Sequence, residues 1–176
     1  MVEGPDAKVD ADAARPEPVD EETASELGSV SRLIHTFKAA DTDGQGRILN
    51  SAYKAASAGA FRRSPFTLVP VVFACLPLAR QICVRERAGE EVGVGVHKLL
   101  GFVNTIVQHL MPLAPSLALR MHLLCALTAD SCGEPAAEDT YEFMTGAFTA
   151  YEEEISDSRE QVGHLPHLPH PPLSCP

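Results

Sequence analysis

The sequence has no tryptophan, only three tyrosines and seven phenylalanines among 176 residues, and no segment of strand-like alternation of any length. A chain poor in aromatics and rich in alanine and leucine favours helix over sheet. It also lacks a basic stripe. Arg62-Arg63 and the pair Arg85 and Arg87 are too few to neutralise a phosphate backbone, which excludes a nucleic-acid partner. The five cysteines form no CxxC pair, and four of them (Cys75, Cys83, Cys125 and Cys132) sit in apolar, helix-like runs. An odd number of dispersed thiols points to a reducing compartment rather than a disulfide framework. No apolar signal region opens the chain. The longest apolar run, Phe66 to Ala79, holds two prolines and is too short to span a bilayer, so a cytosolic protein is expected.

Apolar residues make up 45% of the composition, enough for a core. The formal charge of −10 is unevenly placed. Nine acids against Lys8 and Arg15 give residues 1–26 a charge of −7 and leave −3 for the body. Residues 1–19 carry almost no large apolar group and are expected to be a disordered acidic tail. Six helices are predicted after it. The first runs from about Asp20 to Ala40, and Asp41-Thr42-Asp43-Gly44-Gln45-Gly46 breaks it. The second spans about Arg47 to Ala58. Ser64-Pro65 opens the third, which runs to about Arg87 and contains Pro77, a residue expected to kink it. The fourth, about His97 to Met111, has Leu99, Val103, Ile106 and Leu110 in register. The fifth, about Ser116 to Thr128, offers Leu117, Met121, Leu124 and Leu127 as its apolar positions. In the sixth, Tyr141, Met144, Phe148, Tyr151 and Ile155 fall at steps of three and four and predict a buried stripe, which Phe143, Ala147 and Ala150 widen. Glu152, Glu153, Glu154 and Asp157 crowd its end, where the dipole disfavours negative charge, and are the candidate acidic patch for a partner. Short loops make successive helices antiparallel, and three hairpins with no closing topology suggest a piece of α-solenoid over residues 20–161. Residues 162–176 carry the run His164 to Pro172, whose prolines forbid a helix and favour an extended polyproline-like tail.

Motifs for chemistry are few. Asp41 to Ala52 fits the first half of an EF-hand loop, with Asp41 and Asp43 at its first and third positions and Gly46 at its sixth. The twelfth position is Ala52, so the bidentate acid is missing. A small calcium-binding helical module using residues 41–52 is the alternative reading. His164, His167 and His170 are spaced by three but have no second shell to fix a metal. There is no GxSxG, HExxH, P-loop or GxGxxG, and no base–nucleophile pair can be named. No catalytic residue, metal site or cofactor is expected.

The wording of four blocks carries a family resemblance. Tyr141-Glu-Phe-Met-Thr-Gly-Ala-Phe-Thr-Ala-Tyr-Glu-Glu-Glu-Ile-Ser-Asp-Ser158 resembles a stretch of the vacuolar protein sorting-associated protein 35 family, the large scaffold subunit of retromer. Phe66 to Ala74, the segments Leu33-Ile34-His35 and Ile48 to Ala52, and Leu119 to Leu127 resemble others, in the family's order, covering about Glu17 to Gln161. The resemblance implies an all-α fold, an α-solenoid of HEAT-like antiparallel hairpins, with the EF-like loop as an ordinary turn between helices. It implies a non-catalytic scaffold in a cargo-sorting coat for endosome-to-Golgi retrograde transport. Expected partners are a metallophosphoesterase-fold subunit and other coat proteins, and the expected place is cytoplasmic, peripheral on endosomes. The family's N-terminal motif for an arrestin-like subunit is absent. The change to the His-Leu-Pro tail past Gln161 suggests a truncated or alternatively spliced product, or a faulty gene assignment.

Overall fold

The computed structural model describes the backbone of residues 21–57 and 64–163, with side chains left out at 21–24, 27, 64 and 153–163. The two expected tails, 1–19 and most of 162–176, lie outside the described residues. Six α-helices follow one another: α1 (Glu21–Thr36), α2 (Thr42–Ser57), α3 (Ser64–Arg87), α4 (Val96–Leu110), α5 (Pro115–Cys132) and α6 (Ala137–Gly163). A 3-10 turn, Glu134–Ala136, leads into α6. No strand occurs among the described residues.

The stacking is that of an α-solenoid. From α2 onward each helix packs on the next, α1 packs on α3, α3 on α5 and α4 on α6, and α2 reaches α4 through Tyr53, which gives one layer of α1, α3 and α5 and a second of α2, α4 and α6. Within a layer the helices are parallel. Arg80 on α3 reaches Thr128 on α5 at 3.4 Å, and Cys83 donates to the Cys132 carbonyl at 3.3 Å, so both chains advance together. His97 with Asp139 and Asn104 with Glu142 set the same sense for α4 and α6. On the second layer Tyr53 of α2 meets Phe102 edge-on and stacks on His109, whose Nδ1 lies 2.8 Å from the Tyr53 hydroxyl.

The core follows α3, α4 and α5. Leu68, Val71, Val72, Cys75, Ala79 and Ile82 of α3 are buried. Length and composition would let Pro65–Arg87 cross a bilayer, although the apolar run was expected to be too short. More than half of that stretch is instead enclosed by the other helices, as in the core helix of a packed array. Helix α3 runs unbroken through Pro77. Pro77 lies on the exposed side with Phe73, whose carbonyl the missing N–H would have bonded, and water can take that carbonyl.

Helices α5 and α6 depart from the expected stripes. Met121 is buried as expected, and Leu117 and Leu124 pack partly against the core, but Leu127 is 67% exposed, and α5 also buries Ala118, His122, Cys125, Ala126, Ala129 and Cys132. On α6 the expected flank of the stripe, Phe143, Ala147 and Ala150, is buried together with Gly146, and Met144 packs partly against the core, while Tyr141, Phe148 and Tyr151 face water. The reason is space. α5 is enclosed by α3, α4 and α6 at once, and small side chains let those backbones approach. The closest point is Gly146, where an added Cβ would strike the His122 ring. The hairpin between them turns at Gly133, whose φ of +66° is left-handed and favours glycine, and whose missing Cβ leaves room for the Arg87 guanidinium. That guanidinium donates to the Cys132 carbonyl at the end of α5.

Two histidines give this unit opposite pH dependences. His97 Nδ1 lies 3.0 Å from the buried Asp139 carboxylate. The Asp139 hydrogen bond and charge, aided by Glu138 and Glu142, raise its pKa above the usual 6.5. Its contribution is complete below pH 6.5 and is lost as pH rises through the raised value. His122 is fully buried with neither ring nitrogen hydrogen-bonded, and burial lowers its pKa below 6.5. Its contribution is complete above pH 6.5 and is lost as pH falls, because the unfolded chain then takes up a proton that the folded site disfavours. Urea midpoints measured across neutral pH should show His97→Gln flattening the loss on the alkaline side and His122→Leu flattening the loss on the acid side. Unchanged slopes in both variants would refute the assignment.

Candidate partner-binding surface

The polar groups that were candidates for calcium hold the backbone instead. α2 begins at Thr42, so the expected helix-breaking loop is already its first turn. The Asp41 carboxylate accepts the Gly44 N–H, as an N-cap does. Gln45 bridges back, donating to the Phe37 carbonyl at 3.0 Å and accepting the Ala39 N–H at 2.8 Å. Asp43 turns the other way and accepts the Val94 N–H at 3.1 Å, in the α3–α4 connection. Residues 42–52 are helical throughout, so backbone carbonyls there serve α2 rather than a chelating loop. This overturns both the turn expected from the resemblance and the calcium-module alternative. Among the described residues no three His, Cys, Asp or Glu side chains gather as metal ligands.

The same connection is clamped from α3. Glu86 accepts the Val96 N–H at 3.0 Å, satisfying a donor at the start of α4. Arg85 bonds Glu90 at 2.7 Å and Thr42 at 2.7 Å, tying α2, α3 and the 88–95 segment together. Sequence reading missed this network. The short-range signal was an acid and two arginines in the last turn of α3, whose partners lie in the following connection, at the start of α4, on α2 and at the end of α5.

The thiols are inert by placement. Cys75 and Cys125 face each other across α3 and α5, and burial pushes each up to about 12. Burial first, then the neighbouring Cys83 thiol, pushes Cys132 up to about 11. A thiol held that far above neutrality supplies almost no thiolate for attack.

What remains is surface. On the α1–α3–α5 layer, Leu33, Phe37, Phe73, Leu123 and Leu127 are each more than 40% exposed. Phe37 and Phe73 flank a cavity of about 530 Å³ between α1 and α3, floored by Ile34, Pro77 and Leu78. On the other layer Tyr141, Phe148 and Tyr151 form a ridge along α6. Of the expected acidic patch, Glu152 is exposed beside this ridge. The side chains of Glu153, Glu154 and Asp157 lie outside the described residues. None of the four stands in the last turn, because α6 continues to Gly163 and the dipole argument fades over that distance.

Comparison with known proteins places these surfaces in a family context. The family model for Vacuolar protein sorting-associated protein 35 matches residues 4–168, wider at both ends than the four sequence blocks. Vacuolar protein sorting-associated protein 35A of Arabidopsis thaliana is 40% identical over 144 residues, 80% of this chain and 18% of that protein. Protein 35B of the same plant is 38% identical over 158 residues, and protein 35C 34% identical over 160. Those matches cover 87% and 89% of this chain and 20% of each relative. The chain thus spans about a fifth of the length of the curated relatives it matches.

Asp41→Ala should lower stability by about 1 kcal/mol through loss of the cap. The loss should be the same with calcium and with a chelator, measured by thermal melts followed by circular dichroism. Stabilisation of the unmodified chain by calcium, abolished in Asp41→Ala, would restore the ion-binding reading.

Proposed function

Because the chain belongs to the Vacuolar protein sorting-associated protein 35 family, we propose that it serves as a non-catalytic scaffold segment of a retromer-like cargo-sorting coat. Its work is endosome-to-Golgi retrograde transport, done through protein–protein contacts while peripheral on the cytoplasmic face of endosomes. The partner in this reading is a metallophosphoesterase-fold coat subunit. One observation carries it. The solenoid places exposed apolar side chains from successive helices of one layer side by side, from Phe37 through Phe73 to Leu123 and Leu127. A rigid array that holds several large apolar groups in water is the form of a docking surface rather than of an enclosed reaction site. The buried, high-pKa thiols and the neutral, enclosed His122 offer no activated nucleophile to set against it. Glu152, Glu153, Glu154 and Asp157 are proposed as an acidic contact beside that surface.

A pull-down of the full chain with a metallophosphoesterase-fold retromer subunit tests this directly, with circular dichroism on the same sample. Capture is expected, with loss of about tenfold or more in affinity when Phe73→Ser and Leu123→Ser remove two central apolar contacts. A helical sample that fails to bind the subunit would refute the partner assignment. Binding unaffected by both substitutions would move the contact to another face.

A further inference from the structure

Pro77 leaves one backbone acceptor of α3 without its helical partner. Proline has no N–H, so the Phe73 carbonyl, four residues before it, receives no bond from that position. Phe73, Ala74 and Pro77 surround this carbonyl on the helix surface, and all three line the cavity between α1 and α3. The facing wall is the end of α1 and the segment that follows. Ile34 and His35 line it, and no backbone N–H from beyond the helix end reaches the carbonyl of either. The negative end of the α1 dipole therefore opens onto the same space.

The other groups on the wall sort by whether they are already engaged. Gln45 bonds Phe37 and Ala39, and Thr42 accepts from Arg85. Asp41 also lines the cavity and uses a carboxylate oxygen on the Gly44 N–H, but its charge stays. Phe37 and Phe73 present exposed rings. Lys38 lines the cavity too and is exposed, and its long stem lets the ammonium turn out to water. Open carbonyls, a carboxylate and two aromatic faces together select a cation with several N–H groups. A guanidinium is planar, carries five donors, is weakly hydrated and stacks on aromatic rings. A purely apolar anchor would cover the Phe73 carbonyl without bonding it, which is unfavourable. The volume of about 530 Å³ suits a side chain with its flanking groups.

We propose that the α1–α3 cavity receives an arginine side chain of a partner protein, held against the Phe37 and Phe73 rings and donating to the Phe73 carbonyl that Pro77 leaves open. Pro77 gives up a bond within α3 and opens one to a partner. The inference rests on the reading of the α1–α3–α5 layer as a docking surface. Its test needs no coat subunit, so failure of the cavity and failure of the coat assignment are seen separately.

The probe is an acetylated, amidated five-residue peptide with a central arginine flanked by leucines, titrated into the full chain and followed by amide chemical shifts. Saturable shifts are expected at Phe73, Ala74 and Leu78. A peptide with methionine in place of the arginine should bind about tenfold more weakly. Pro77→Ala restores the helical N–H and should weaken the arginine peptide by about the same factor, while leaving the methionine peptide unchanged and the helical circular dichroism undiminished. Absence of saturable shifts would overturn the proposal, as would equal affinity for the two peptides, which would make the cavity an apolar pocket only. Shifts confined to the acidic first 26 residues or to α6 would also overturn it, since the peptide is then drawn by net charge. Unchanged arginine-peptide affinity in Pro77→Ala would remove the role given to the open carbonyl.

Discussion

The close approach of α5 to its neighbours is the constraint on which the rest of the structure depends. That helix is enclosed by α3, α4 and α6, and it meets them mainly with alanines, two cysteines, Met121 and His122, while Leu123 and Leu127 face water. Small groups cost little side-chain entropy on burial and let helix backbones come near. Gly146 on α6 completes the arrangement by leaving room for the His122 ring. From this follow the parallel registration of α3 with α5, the tight turn at Gly133 and the outward display of Leu123 and Leu127. A solenoid is stable only through such nearest-neighbour interfaces, so the α5 contacts hold the end of the array to its centre.

Polar side chains serve this packing by fixing where each helix begins and ends. Asp41 caps α2, Asp43 and Glu86 hold the approach to α4, and Arg87 closes the end of α5. Each takes a backbone group that a helix terminus or a loop leaves without an internal partner. These bonds also reach between repeats, from α2 to the α3–α4 connection and from α3 to α5. They fix the relative position of successive hairpins as well as satisfying donors. The surface that results is apolar in places, as the proposed scaffold role requires.

Much of this was legible in the sequence, and the failures share a cause. The helix count, the hairpin order and the buried register of α4 were readable because α4 obeys the ordinary rule that large apolar residues at helical spacing face inward. The resemblance to one family over four collinear blocks agreed with the wider match found by comparison. The same rule misplaced Leu127 on α5 and Tyr141, Phe148 and Tyr151 on α6, since the inward face of each helix is set by its several neighbours and there falls on Phe143, Met121, His122 and a set of small residues. The Asp41–Gly46 run misled for a different reason. Asp, Thr and Gly are turn formers and also good helix starters, and only the location of their partners separates the two uses. The network around Arg85 and Glu86 was missed because its partners, Glu90, Val96 and Thr42, lie off the helix, in the following connection and on α2, where a helix-period pattern does not look.

The most direct measurement compares two substitutions on α5 that the pattern rule and the structure rank in opposite order. Ala129 is fully buried and Leu127 is mostly exposed. Urea unfolding followed by circular dichroism should find that Ala129→Leu costs about 1–3 kcal/mol by overpacking. Leu127→Ala should change stability by no more than about 0.5 kcal/mol, as a surface change does. A cost of about 2–5 kcal/mol for Leu127→Ala, the range for truncating a core leucine, together with a harmless Ala129→Leu, would contradict the small-residue interface and the solenoid built on it.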